Sequence, residues 1–145
     1  MRKGALAGVL TWNLLLTGRV RHAEARQARA AEVLTTVVHP ASKVVPMAAE
    51  SRALDEGQLS AAYIPGRPLL YIFGSLPNPS QGRVYQVWLV RKGHFRSAGV
   101  FVPESDSVWL KIPVDPTGYD GVLITEEAGS GSEAPSAERV LTASF

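Results

Sequence analysis

The chain contains no cysteine, which excludes disulfides and every thiolate metal site within it. Histidine is scarce: His22, His39 and His94 are the whole set, and no two stand four apart as in a helical metal-binding pair. Each therefore reads as a surface histidine. Neither a P-loop nor a complete G-x-G-x-x-G occurs; Gly129-Ser130-Gly131 lacks the third glycine and sits in a β-rich region. The serines are numerous, but none lies in a G-x-S-x-G elbow. The net charge is only +2, too small to hold a polyanion, so direct contact with nucleic acid is not expected. The N-terminal apolar run is also short, with fifteen uncharged residues from Gly4 to Gly18.

What charge there is lies unevenly. Residues 1–29 carry six basic side chains against Glu24, a net of +5, and residues 30–145 carry a net of −3. Basic residues bracketing an apolar segment read as membrane-flanking anchors. Fifteen helical residues reach roughly 22 Å, short of the ~30 Å hydrocarbon core. Three readings compete for this segment: a short or truncated transmembrane helix, a signal peptide with an Ala28-Arg29-Ala30 cleavage site, and a soluble core helix. The span is preferred. The apolar residues occupy most of the helix circumference, and the A-x-A site lies ten residues and several arginines beyond Gly18. Residues 19–34, rich in Ala, Arg, Gln and Glu, predict a solvated helical stalk that frays over Thr35–Val38 and stops before His39-Pro40. The organisation expected is a transmembrane segment over 1–18, a helical stalk or linker over 19–42 and an extracytoplasmic β-domain over 43–145.

From residue 43 the period changes. Runs of Val, Ile, Leu, Tyr, Trp and Phe alternate with turn clusters such as "PGRP" (65–68), "PNPSQG" (77–82) and "VDPTG" (114–118). Strands are predicted at 43–48, 57–64, 68–74, 84–91, 95–102, 107–112, 120–126 and 138–144. The fold class that follows is mainly β: an antiparallel β-sandwich of about eight strands preceded by an N-terminal membrane or stalk α-helix. In 84–91, Tyr85, Val87 and Leu89 share one face, and Val84, Gln86, Trp88 and Val90 share the other. Both faces are largely apolar, which predicts a central strand. Ile72, Val87, Leu89, Val100, Phe101, Leu110 and Ile124 are the expected core. The low-complexity stretch "AGSGSEAPSAE" (128–138) reads as a flexible, solvated loop.

Candidate chemistry is thin. Glu126 and Glu127 are adjacent, so in a strand they point to opposite faces and do not form an acid–base pair. Glu104, Asp115 and Asp120 are candidates to meet at one end of the sandwich around a calcium ion, but no ligand loop joins them. Arg91, Lys92, Phe95 and Arg96 form a basic hairpin tip best read as solvated. Tyr85, Trp88, Phe101 and Trp109 fit a sugar-binding face less well than a core. No residue is assigned a catalytic, cofactor-binding or metal role; no cofactor and no enzymatic activity are expected.

The order "RVYQVWLV", "SAGVF", "YDGVLITEEAGSGSEAPS" and "VLTAS" resembles the C-terminal domain of anti-sigma-K-type anti-sigma factors. In that family a "YQLWL" strand precedes a "SAGVF" strand, then a segment like "VTLEPAGGSPAPTGP" and a short final strand. Here Tyr85–Leu89, Ser97–Phe101 and Val122–Ser136 match in turn, and "VLTTVVHPASKVVPM" resembles the connection from membrane helix to first strand. The resemblance covers about residues 5–145. It implies a single-pass protein of the bacterial plasma membrane with its C-terminal sandwich outside. Its partners would be an extracytoplasmic-function sigma factor, the membrane and regulatory proteases that free the sigma factor. The cytoplasmic sigma-binding domain, often zinc-containing, has no counterpart in these 145 residues, so the expectation is an internal start or a split gene product. The expected function is an extracytoplasmic sensory and regulatory domain. The alternative is a stand-alone exported or membrane-anchored sandwich that binds cell-wall polymer or protein.

Overall fold

The computed structural model describes residues 23–50 and 58–145. The segment expected to span the membrane, residues 1–18, lies outside them. Among the described residues no helix is long and apolar enough to cross a membrane. The chain divides into two compact units, Met1–Leu34 and Thr35–Phe145. Helix α1 covers residues 23–37 and ends ahead of Pro40, as the missing proline N–H and its clash with the preceding residue require. A hydrogen-bonded turn follows. Its bonds run from His39 N to Thr36 O (3.1 Å), from Ser42 N to His39 O (2.8 Å) and from Ala41 N to His39 Nδ1 (3.1 Å).

Nine strands make two antiparallel sheets among the described residues. They are β1 (Lys43–Pro46), β2 (Ala48–Ala49), β3 (Gln58–Tyr63), β4 (Leu70–Ser75), β5 (Arg83–Arg91), β6 (His94–Phe101), β7 (Ser107–Ile112), β8 (Gly121–Ala128) and β9 (Arg139–Ser144). One sheet has the order β1-β3-β4-β7 and the other β2-β9-β8-β5-β6. The expected antiparallel sandwich is therefore the fold. The strand expected over 43–48 is in fact two, because the chain changes sheets at Met47. β1 pairs with β3, and β2 pairs with β9. Met47 itself is buried, with its N–H bonded to Leu59 O at 2.9 Å. Pro46 closes β1 on a sheet edge, where a missing donor is tolerated.

β5 lies between β8 and β6, the central place its doubly apolar pattern predicts. Tyr85, Val87 and Leu89 point into the inter-sheet core with Leu59, Leu70, Ile72, Val122 and Ile124. Burying each such aliphatic side chain stabilises by about 1.5–3 kcal/mol. Phe101 and Leu110 pack against this core from its margin. Val100 does not belong to it. On edge strand β6, where the ladder to β5 slips a residue between Val87↔Gly99 and Trp88↔Ser97, Val100 is 46% exposed. The extra residue turns the alternation over, which counting along the sequence by twos misses. β5 and β6 are joined by Lys92 and Gly93, both at positive φ (49° and 74°), the two-residue turn that matches strand twist.

Gly121 opens β8 against β9. A Cβ there would lie 2.2 Å from the Ala143 carbonyl oxygen. Gly121→Ala is expected to cost about 1–3 kcal/mol, because the backbone of β9 has to move aside. Chemical denaturation reads this directly; an unchanged midpoint would show that the two strands separate freely here.

Candidate functional site

Two places gather polar side chains. The first is an open cleft of about 660 Å³ at one end of the sandwich. Its walls come from the β4–β5 loop (Pro77, Asn78, Ser80), from Glu126 at the end of β8, from the start of β9 (Glu138, Arg139) and from Glu50 after β2. Tyr85 forms part of the floor and donates its hydroxyl hydrogen to Pro77 O at 2.8 Å. Burial first, and then the neighbouring Glu126 carboxylate, push this phenol up to about 12. Arg83 ties the rim together, 3.2 Å from Glu126 Oε1 and 3.0 Å from Glu138 Oε2, and donates to Glu126 O at 2.8 Å. Ser80 N also donates to Glu126 Oε1. Glu126 is thus a structural clamp on the core side of β8.

The second place is on the other face of the same sheet. Trp88 Nε1 donates to Thr125 Oγ1 at 2.8 Å, and Thr125 Oγ1 donates to Glu127 Oε1 at 2.6 Å. The Glu127 carboxylate also accepts from Ser136 N and Ser132 Oγ, each at 2.8 Å. Gln86 Oε1 accepts from Ser132 N at 2.8 Å, and Gln86 Nε2 donates to Ser132 O at 3.0 Å and to Ser97 Oγ at 2.8 Å. Burial alone would raise the Glu127 carboxyl. The bonds from Ser136, Thr125 and Ser132 outweigh it and hold the group below its ordinary value. Gln86, Thr125 and Glu127 are all buried. Glu126 and Glu127 do point to opposite faces, as their adjacency requires.

This network overturns the expectation for residues 128–138. The stretch is no free solvated loop; residues 129–138 form a strap held across the outer face of the sheet by side chains of β5 and β8. Gly131 marks the close approach, since a Cβ there would come within 2.7 Å of Gln86 Oε1 and Val100 Cγ1. Composition suggested flexibility because small polar residues lack an apolar anchor. The anchor here is polar and lies on the strands. The available signal was the pair Thr125 and Glu127, two polar residues at alternate positions following the apolar run Val122–Ile124.

The other candidates are dispersed. Asp115 caps a single 3-10 turn (Pro116–Gly118), accepting from Thr117 N at 3.0 Å and Thr117 Oγ1 at 2.7 Å. Those bonds keep its carboxyl below the usual value. Asp120 accepts from Lys92 N at the hairpin, and Glu104 forms a backbone bridge with Ser107. Among the described residues no three His, Cys, Asp or Glu side chains gather as a metal site. Tyr85 and Trp88 are buried, Phe101 tilts against Tyr85, and Trp109 stacks on Phe73 with centroids 6.2 Å apart. The four aromatics therefore form no common face. In the basic hairpin Arg96 donates to Tyr119 Oη at 2.9 Å, and Phe95 receives Arg139 over its ring.

The family model "Anti-sigma-K factor rskA, C-terminal" matches residues 4–140. A Streptomyces griseus protein described as "Uncharacterized protein in phr 5'region" is 31% identical over 143 residues. The match covers 97% of this chain and 58% of that relative, so the chain spans little more than half its length. No solved structure matches.

Proposed function

This chain belongs to the anti-sigma-K factor C-terminal family, and from that premise we propose that it is the extracytoplasmic regulatory domain of a membrane-bound anti-sigma factor. Family membership implies a sigma factor as partner. In this reading the sandwich acts by its stability: it is a non-enzymatic domain whose folding limits protease access to the stalk around residues 19–42, and cleavage there frees the sigma factor. The observation that carries the reading is the way the chain leaves α1. Within a few residues of the turn at 38–42 it enters β1 in one sheet and β2 in the other. A protease needs an extended, unpaired segment. The residues immediately after the turn are paired in β1 and, beyond Met47, in β2, so the sandwich has to loosen before that segment is offered.

The absence of cysteine makes the sidedness testable. Glu133 is exposed on the strap, so Glu133→Cys introduces a single reactive thiol. Expressed as this 145-residue chain in a bacterial host, the variant is expected to react with a membrane-impermeant maleimide in intact cells. Labelling only after lysis would overturn the extracytoplasmic assignment.

The cleft favours a second reading, a stand-alone exported module that binds cell-wall polymer or protein. Cleavage of the membrane-bound protein in the stalk when the sandwich is unfolded favours the first reading; retention on purified cell wall without such cleavage favours the second.

A further inference from the structure

We propose that residues 129–138 form an acid-released latch: the strap is held on the sheet by the ionised Glu127 carboxylate and opens, with the sandwich still folded, when that carboxylate takes a proton. Every group bonded to the carboxylate is a donor: Thr125 Oγ1, Ser132 Oγ and Ser136 N. A proton on the carboxyl makes a hydroxyl partner such as Ser132 reverse its bond, and every bond in the set loses its charge assistance, roughly half its strength. The ends of the strap are pinned by backbone bonds from Gly129 N to Gly82 O and from Glu126 N to Glu138 O, each 3.1 Å. Between the ends the holds on the sheet, besides those to Glu127, are the two bonds between Ser132 and Gln86, one from Gly131 N to Ala128 O at 3.0 Å and a long one from Ser136 Oγ to Glu126 O at 3.2 Å. Core strands β5 and β8, by contrast, are paired from Arg83↔Ala128 to Val90↔Gly121. The middle of the strap and the ladder are therefore held by different bonds and need not yield together.

Charged neighbours do not confuse the titration. On β5, Arg83 bonds Glu126 and Glu138 on the cleft side. On β6, Arg96 is bonded to Tyr119, and on β9, Arg139 lies over Phe95. Glu133 on the strap is exposed. None of these sets the ionisation of Glu127; burial and the hydroxyl and amide partners do. The carboxyl is held below its ordinary value of 4.5 in the closed strap. The latch is therefore at full strength above that pH and is lost as pH falls through the lower value. An opened strap offers a Gly-, Ser- and Pro-rich segment of the kind proteases cut. The latch is a property of the sandwich and does not depend on the proposed partner.

Amide hydrogen exchange of the full chain, followed by NMR between pH 7 and pH 3 and corrected for intrinsic rate, tests it. The Ser132 and Ser136 amides are expected to lose at least tenfold in protection below pH 4.5 while the Val87 and Ile124 amides keep theirs. Glu127→Gln should leave the strap amides weakly protected at every pH. Ser132→Ala removes one surface donor without touching the sheet, and should move the midpoint upward by about one pH unit. Simultaneous loss of protection in strap and ladder would overturn the latch, as would an unmoved midpoint in Ser132→Ala or a pH dependence that survives Glu127→Gln.

Discussion

Trp88→Ala is expected to destabilise the sandwich by about 3–5 kcal/mol, the usual cost of emptying a buried tryptophan site. Trp88 is 1% exposed at the middle of the central strand β5, on the face away from the inter-sheet core. Its indole is buried on that face and also donates to Thr125, the first link of the Glu127 network. Truncation thus removes both a large apolar volume and a hydrogen bond. Trp88→Phe keeps most of the volume and loses only the donor, so it should cost about 1 kcal/mol. Urea denaturation of the two variants separates the effects. A domain has only about 5–15 kcal/mol of stability in hand, so Trp88→Ala takes a large share of it. In cells, the proposed function predicts faster cleavage of the stalk in Trp88→Ala than in Trp88→Phe. A demonstrably unfolded variant cut at the wild-type rate would sink the link between folding and protease access.

Stability should also fall by about 2–3 kcal/mol as pH rises from 10 to 12, through Tyr85. The phenol titrates near 10.0 when exposed and is pushed up to about 12 in the fold. A raised folded value means that the contribution is complete below 10, where both states are protonated, and drains away as the unfolded chain ionises first. Each pH unit between the unfolded and folded titrations corresponds to about 1.4 kcal/mol, which sets the size of the loss. Tyr63, also raised by burial, adds a separate decline of the same sign. The comparison with Tyr85→Phe isolates the effect. That variant loses the bond to Pro77 O, starts about 1 kcal/mol lower at pH 7, and should show a much shallower alkaline decline. An equally steep decline in Tyr85→Phe would assign the alkaline sensitivity elsewhere.

Much of this protein was decided locally and could be read from the chain. Turn residues such as Lys92-Gly93 and the prolines bounded the strands, because they act through their own backbone. The doubly apolar face of 84–91 identified a central strand, because only a strand covered on both sides needs such a pattern. The ordered motifs around Tyr85–Leu89, Ser97–Phe101 and Val122–Ser136 were enough to name the family. The adjacency of Glu126 and Glu127 already separated their roles, since neighbours on a strand face opposite ways.

The tertiary structure decided what depends on partners distant in sequence. The run at 43–49 crosses from one sheet to the other at Met47, and nothing in its apolar composition distinguishes one strand from two. Val100 left the core because the β5–β6 ladder slips beside it, a property of the pair and not of either strand. Residues 129–138 became a strap because Gln86 and Glu127, 46 and 5 residues from Ser132 along the chain, present acceptors and donors that match its own. Local propensity carries no record of such a match. It exists only once the sheet has placed those two side chains on one face, where burial makes a satisfied carboxylate worth holding and an unsatisfied one costly.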